Sequence, residues 1–179
     1  ISEGIANNVK IHFKYMSWDS GKNMIPKHGG KEYEVSPWCL VWEREKYYLI
    51  AYEKQTDKIK HFRVDKMNQI KLSNNKRDGK KEFDKLDMTT YTTENFGMFQ
   101  GRKETVTLSV DKDMAGVIID RFGADVWMHE GDDGRLAAVV DVSVSPQFFG
   151  WITAFGGSVR IVEPVAVLEE YRELLRKCM

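Results

Sequence analysis

Three runs of β-branched, aromatic and aliphatic residues lie close together in the first half of the chain. They cover residues 33–42, 47–52 and 59–64, and charged turns separate them. This pattern predicts an antiparallel meander of three strands. In the third run, alternation with a period of two residues places Phe62 on one face and His61 and Arg63 on the other. We therefore expect an imidazole and a guanidinium on the same side of the sheet.

Two further strands are predicted on either side of this meander. Residues 9–15 alternate apolar side chains with Lys10, His12 and Lys14, which indicates a half-buried strand with a basic outer face. Residues 19–30 read as a turn-rich loop, and residues 69–72 as a short last strand. Five short strands favour a small barrel, because closure of a sheet removes its exposed edges.

The second half alternates between strand and helix patterns. Strands are predicted at residues 104–110, 125–130, 135–144 and 158–162, and helices at 111–122, 146–155 and from Pro164 onward. Asp111 and Ser145 are the expected N-caps of the first two helices. The order β-α-β-β-α-β followed by one more helix is that of a ferredoxin-like α+β sandwich. The predicted fold class is mixed α/β (α+β), with domains at residues 1–81 and 104–179 and a helical connector at 82–103.

The charge distribution supports this division. The chain has no net charge, but residues 1–103 carry a net charge of +6 and residues 104–179 a net charge of −6. A basic domain is the better candidate for binding an anionic ligand. The simpler alternative is that scattered lysines only keep a β-rich domain in solution.

Several function classes are not indicated by the sequence. No apolar run has the ~20 residues of a membrane span, and no signal peptide is visible. Cys39 and Cys178 are far apart, which fits a reducing cytoplasm and no metal site. His12, His28 and His129 have no second ligand at metal spacing. Phosphate-loop and nucleophile motifs are not found either. We therefore expect a cytoplasmic protein with no membrane contact, cofactor, metal or catalytic residue.

Three separated motifs in the first half resemble the WYL domain. They are Ser36-Pro37-Trp38, then Tyr47-Tyr48-Leu49, and then the run HFRVDKM at residues 61–67. Tyr47 stands where that family has its name-giving Trp, and Lys66 stands where an Arg is usual. The resemblance implies an Sm-like, SH3-type β-barrel.

The second half resembles the C-terminal extension that accompanies WYL domains. The residues that carry this resemblance are Asp120-Arg121-Phe122-Gly123, Phe148-Phe149-Gly150-Trp151, Phe155-Gly156 and Ile161-Val162-Glu163-Pro164. Proteins of this layout are bacterial transcriptional regulators with a winged helix-turn-helix domain upstream. The resemblance thus implies an effector-sensing, dimerising C-terminal region, which would reach operator DNA only through a helix-turn-helix domain that is absent here. A chain that begins at Ile1 fits a start in the connecting helix.

The resemblance also implies a binding site on the basic barrel. The predicted ligand is nucleotide-like or a single-stranded oligonucleotide, and the predicted ligand-binding residues are Arg63, His61, Trp38, Tyr48, Ser36 and Lys66. A guanidinium pairs with phosphate and aromatic rings stack on bases. The alternative for these residues is that Arg63 pairs with Asp65 or Glu53 and that the tyrosines are core. Two other functions stay open for the chain: a metabolite-binding allosteric module of the ferredoxin-like type, and a bare RNA-binding barrel.

Overall fold

Two antiparallel sheets organise the chain. The computed structural model describes residues 1–88, 91, 94–96, 101–131 and 133–179. The chain divides into two compact units, residues 1–87 and residues 88–179. Each unit contains one sheet together with helices, so the prediction of a mixed α/β protein with antiparallel sheets is confirmed.

The first unit consists of six strands and two short helices. In chain order they are α1 (Ser2–Ala6), β1 (Val9–Trp18), β2 (Met24–Pro26), β3 (Glu32–Glu43), β4 (Lys46–Glu53), β5 (Lys58–Arg63), β6 (Met67–Lys76) and α2 (Lys80–Asp84). The strand order is β2-β1-β3-β4-β5, and β6 also pairs with β1. The predicted meander is therefore present as β3, β4 and β5.

The core of this unit follows the predicted alternation. The side chains on one face of the strands are buried: Ile11, Phe13, Tyr33, Val35, Leu49, Ala51 and Phe62. The rings of Phe13 and Tyr33 stack with centroids 5.4 Å apart, and Phe62 meets Phe13 edge-on at 5.0 Å. Burial of these aromatic rings, together with the aliphatic side chains, stabilises the sheet.

The closed barrel expected from the sequence is not formed. A short 3-10 turn, Val64–Lys66, follows β5, and β6 then runs along β1. Within the described part of the chain no backbone pairing joins β5 to β6, so the sheet stays open there. The reason is that β1 offers β6 a long antiparallel partner, whereas the turn directs the chain away from the edge of β5.

Other details of the first unit also differ from the prediction. The loop predicted at residues 19–30 contains the short strand β2, and β6 is longer than the predicted residues 69–72. Lys10, expected on the solvent face, is buried. Lys10 lacks the expected exposure because a second layer of chain, residues 77–84, covers this part of the sheet.

From residue 101 onward, the described part of the second unit contains four strands and three α-helices. They are β7 (Arg102–Val110), α3 (Ala115–Phe122), β8 (Trp127–Glu130), β9 (Leu136–Val144), α4 (Pro146–Thr153), β10 (Val159–Glu163) and α5 (Val165–Cys178). The strand order is β10-β7-β9-β8, and every pair is antiparallel. Apolar side chains of the sheet pack against α3, α4 and α5 in one core.

The two predicted helix caps have different outcomes. The Ser145 hydroxyl oxygen accepts a hydrogen bond from the Phe148 backbone N–H at 3.3 Å, so this cap is confirmed. Asp111 makes no side-chain capping bond, and a 3-10 turn, Lys112–Met114, comes before α3. The Asp111 carboxylate pairs instead with the guanidinium of Arg135 from the neighbouring strand end.

The predicted connector is described only in part. Its helical character is seen at α2, which begins two residues before the predicted start of the connector. Residues 89–90, 92–93 and 97–100 of the connector, and Asp132 between the predicted strands 125–130 and 135–144, lie outside the described residues. None of the described helices is both long enough and apolar enough to cross a membrane.

Candidate ligand-binding site

The outer face of β5 brings three of the predicted site residues together. In the antiparallel register of β4 and β5, Tyr48 lies opposite Arg63 and Ile50 lies opposite His61. Residues at positions i and i+2 of a strand share a face, so Tyr48, His61 and Arg63 lie on one side. Phe62 points to the opposite face and is buried in the core. The alternation in the sequence thus gave the correct faces.

The Arg63 guanidinium is held by a carboxylate close to it in sequence. Arg63 Nε donates to Asp65 Oδ1 at 3.1 Å, and Nη2 donates to Asp65 Oδ2 at 2.7 Å. These bonds hold the pKa of Asp65 below its ordinary value and raise the pKa of Arg63. The Arg63 side chain remains 31% exposed, and its two bonds to Asp65 use Nε and Nη2 rather than Nη1. The Arg63–Asp65 pair, which the sequence offered as the alternative to ligand binding, is therefore present. One edge of the guanidinium is not bonded to Asp65.

Further polar groups surround this pair. The Arg63 backbone N–H donates to the Tyr15 hydroxyl oxygen at 3.1 Å, and burial raises the pKa of that phenol. The charges of Lys46 and Lys66 act on Asp65 in the same direction as Arg63. Lys66 belongs to the 3-10 turn that follows β5, so the strand ends between Arg63 and Lys66. Three cations thus lie around one carboxylate at the end of β5.

Ser36 and Trp38 lie farther along the sheet from Arg63, with Ser36 the more distant of the two. Ser36 is opposite Tyr52 in the register, four residues along β4 from Tyr48. At ~3.3 Å per residue this separation is roughly 13 Å. The structure therefore does not bring Ser36 and Trp38 into one cluster with Arg63. The predicted site consists of two parts on the same three strands.

Comparison with known families finds one matching model for each half of the chain. Residues 1–72 match the family model of the WYL domain, and residues 102–179 match that of the WCX domain. The chain thus contains a WYL domain followed by a WCX domain. Arg63, His61, Tyr48, Lys66, Ser36 and Trp38 all lie within the WYL match, whereas residues 73–101 belong to neither match.

Solved structures resemble this WYL–WCX chain at low sequence identity. Proteasome accessory factor B/C (PafBC) of Arthrobacter aurescens is 22% identical with a TM-score of 0.39, and the match covers 96% of this chain and 25% of PafBC. A CRISPR Cas-related protein is 13% identical with a TM-score of 0.55, over 98% of this chain and 49% of its own. The chain thus spans a quarter and about half of these two proteins. A comparison with curated proteins finds no match.

Residues 77–84, which we call the strap, cover the Ser36 end of the WYL domain. The Asp78 backbone N–H donates to Ser36 Oγ at 2.8 Å, and Trp38 Nε1 donates to the Asp78 carbonyl oxygen at 3.2 Å. The Trp38 ring lies between the Arg77 guanidinium, 4.1 Å from the ring centroid, and the Phe83 ring, stacked at 5.2 Å. Two predicted ligand-binding residues are therefore engaged by the chain itself.

Sequence reasoning missed the charged residues under the strap. Lys10 is only 7% exposed, and its Nζ lies 2.8 Å from Asp78 Oδ2. Lys54 Nζ lies 3.5 Å from the same oxygen. The hydrogen bond from Lys10 is the main reason that the pKa of Asp78 is below its ordinary value. Nothing local in the sequence marks these residues, because 68 positions separate Lys10 from Asp78.

Two other features complete the survey of sites. Over the described ranges, no group of three or more His, Cys, Asp or Glu side chains could hold a metal ion. In the WCX domain, an open cavity of about 320 Å³ lies between β10 and α5. Ile161 and Leu168 contribute to its apolar wall, and Arg160 and Arg172 also line it.

Proposed function

We propose that this WYL–WCX chain is the effector-sensing region of a transcriptional regulator. Its effector is a phosphate-bearing ligand, nucleotide-like or a single-stranded oligonucleotide, which binds on the WYL domain. The observation that carries this proposal is the shared face of Tyr48, His61 and Arg63, with Lys46 and Lys66 near the same strand end. The WYL and WCX matches support the regulatory part.

Arg63 is the main anchor in this proposal. A guanidinium can pair with phosphate through two parallel N–H bonds. Asp65 takes Nε–H and one Nη2–H, which leaves the edge formed by Nη1 and the other Nη2 hydrogen for a phosphate. Asp65 keeps the guanidinium extended in one orientation while no ligand is bound. Tyr48 and His61 offer ring surfaces on which a base can stack. The function is binding, with no catalytic step.

The finer architecture forms part of the same proposal. An open Sm-like barrel is supported by the strand pairing of the first sheet, in which β6 returns to pair with β1. The 3-10 turn between β5 and β6 also supports it. A ferredoxin-like WCX domain is supported by the order β10-β7-β9-β8 with helices after β7 and β9. A homodimer is expected because helix-turn-helix readers bind two-fold operators, and operator DNA would be read by such a domain elsewhere in the protein. Light scattering that gives a monomer mass at tens of micromolar would refute the dimer.

The test of the anchor compares two arginines of the WYL domain. Arg63→Ala should weaken binding of a labelled single-stranded oligonucleotide by about 1.5 to 3 kcal/mol, the range for hydrogen bonds to charged groups. Arg63→Lys should restore part of this loss, because the planar fork is missing. Arg44→Ala removes the same charge at the exposed β3–β4 turn, where Arg44 pairs only loosely with Glu43 at 3.7 Å, and should have little effect.

The stability of each variant decides the interpretation. If Arg63 has only a structural role, Arg63→Ala lowers the melting temperature and leaves oligonucleotide binding unchanged. That result would remove Arg63 from the site. Binding by the wild type should also weaken as salt rises, because neutralised phosphates release counterions.

A second candidate function is metabolite sensing by the WCX domain. It is favoured by the cavity between β10 and α5, whose size falls at the low end of small-molecule sites of ~300–1,000 Å³. The two arginines that line it suit a small organic anion. Leu168→Trp, which fills the cavity, should abolish such binding and leave oligonucleotide binding intact. A metabolite that binds equally well to this variant would rule out the cavity.

A further inference from the structure

The strap binds the WYL domain through contacts that resemble those of a ligand. Its backbone accepts from Trp38 and donates to Ser36, at 3.2 and 2.8 Å. Its side chains add a carboxylate for Lys10 and Lys54 and an aromatic ring for Trp38. A carboxylate, a carbonyl and a flat ring are also what a nucleotide-like ligand offers, with phosphate in place of carboxylate.

Lys10 gives the strongest indication that an anion is required at this position. The Lys10 side chain is only 9% exposed, and a buried ammonium is costly unless it is paired. Asp78 supplies the nearest carboxylate at 2.8 Å, while Glu34 is 3.8 Å away. Lys54 approaches Asp78 from the solvent side. Two lysines thus face one carboxylate that belongs to the strap, and the Ser36 hydroxyl holds the backbone N–H of the same residue.

The strap lies so close to the sheet that a ligand cannot occupy the same surface while the strap is bound there. Gly79 has a φ of +77° and lies against the Tyr52 ring, so closely that an added Cβ would be 2.1 Å from Tyr52 Cγ. No room remains between this segment and the ring. A ligand that uses the Trp38 and Lys10 end of the domain must therefore move the strap.

We propose that the strap is a built-in competitor, and that a phosphate-bearing effector displaces it by taking the place of the Asp78 carboxylate at Lys10 and Lys54. This inference rests on the proposed function, since the same effector is anchored at Arg63. An oligonucleotide of several nucleotides is long enough for both ends of the strands, because single-strand sites of small barrels span ~4–16 nucleotides. Ser36 and Trp38 become ligand-binding residues only after the strap leaves.

The experiment removes the same charge at two positions of the strap in the full 179-residue chain. Asp78→Asn weakens the hold of the strap and should tighten binding of a fluorescein-labelled single-stranded oligonucleotide at least fivefold, the lower end of common coupling between linked equilibria. Asp84→Asn is the matched control, because Asp84 pairs with the exposed Lys80 at 2.7 Å within α2. It should change affinity by less than about twofold, the size expected for an exposed pair.

A second variant avoids leaving Lys10 without its partner. Phe83→Ala removes the ring stacked on Trp38 and no charge, and it should also tighten binding. Hydrogen exchange gives an independent readout in the wild type. Saturating oligonucleotide should speed exchange of the Asp78 amide, which is bonded to Ser36 Oγ in the closed state. A strap with a purely structural role would exchange at the same rate or more slowly.

The outcomes separate this inference from the proposed function. Equal affinities of wild type, Asp78→Asn and Phe83→Ala, with Arg63→Ala weakened, would overturn the competitor and keep the Arg63 site. Equal tightening by Asp78→Asn and Asp84→Asn would overturn it as well, because only net charge would then matter. Failure of every variant to bind would overturn both. Tighter binding by Asp78→Asn with no effect of Arg63→Ala would support the strap and remove the anchor.

Discussion

Arg63 lies at the point where a strand stops and a turn begins. The carboxylate two positions on, Asp65, lies within reach of the guanidinium, just as Glu104 lies within reach of Arg102 along the continuous strand β7. Alternation predicts which face Arg63 uses, since that depends only on neighbouring residues. The sequence offered Asp65 and Glu53 as partners of Arg63, and only the structure shows that Asp65 is the one used while Glu53 pairs with Lys60.

At the same scale, Tyr52 provides a prediction for alkaline solution. Its hydroxyl donates to Asp57 Oδ1 at 2.6 Å, and this bond raises the pKa of the phenol to about 12. A free tyrosine titrates near pH ~10. Since the folded pKa is the higher one, the stability from this bond is complete below about pH 10 and is lost as the pH rises towards about 12.

Absorbance titration of tyrosinate checks this expectation. One tyrosine of the wild type should ionise near pH 12 while the chain is folded. Tyr52→Phe should remove that step, and Asp57→Asn should move it to lower pH. A late step that persists in Tyr52→Phe would assign it to another tyrosine.

Among the elements, α4 shows what can be predicted from neighbouring residues alone. Ser145 and Pro146 mark its first turn, and the Ser145 cap is formed. Ser145→Ala should therefore lower the free energy of unfolding by about 0.5 to 2 kcal/mol, measured by urea denaturation. Ser158→Ala is a suitable control, because the contacts of Ser158 to Asp111 and Arg135 use its backbone carbonyl. Equal losses in the two variants would exclude a capping role.

Elements that depend on distant partners were predicted less well. Strand β6 extends to Lys76 because β1 is available to pair with it, and the sheet stays open for the same reason. Likewise, the expected cap at Asp111 is replaced by a pair with Arg135, 24 residues away. Propensity and alternation describe a segment by itself. The partner that finally decides its length or its contacts lies elsewhere in the chain.

For the molecule as a whole, the division into two units has a direct consequence. Residues 1–87 contain a complete sheet, a buried core and the strap. We expect a fragment of these residues to fold alone, with a cooperative thermal transition seen by circular dichroism. It should bind the single-stranded oligonucleotide with the affinity of the full chain. A fragment without a transition would show that the first unit needs the second to fold.

The buried pair of Lys10 and Asp78 also bears on selectivity. Asp78 is tethered two residues after β6, so its effective concentration at Lys10 stays the same when the protein is diluted. Under the proposed competition, the closed strap lowers the apparent affinity of every anion that binds at Lys10 by one common factor, the fraction of molecules that are open. Small phosphates and carboxylates, which have few other contacts, then fail to fill the site at ordinary concentrations. A ligand that also reaches Arg63 gains enough additional binding energy to overcome the same factor, and the tether thereby acts as a filter for ligand length.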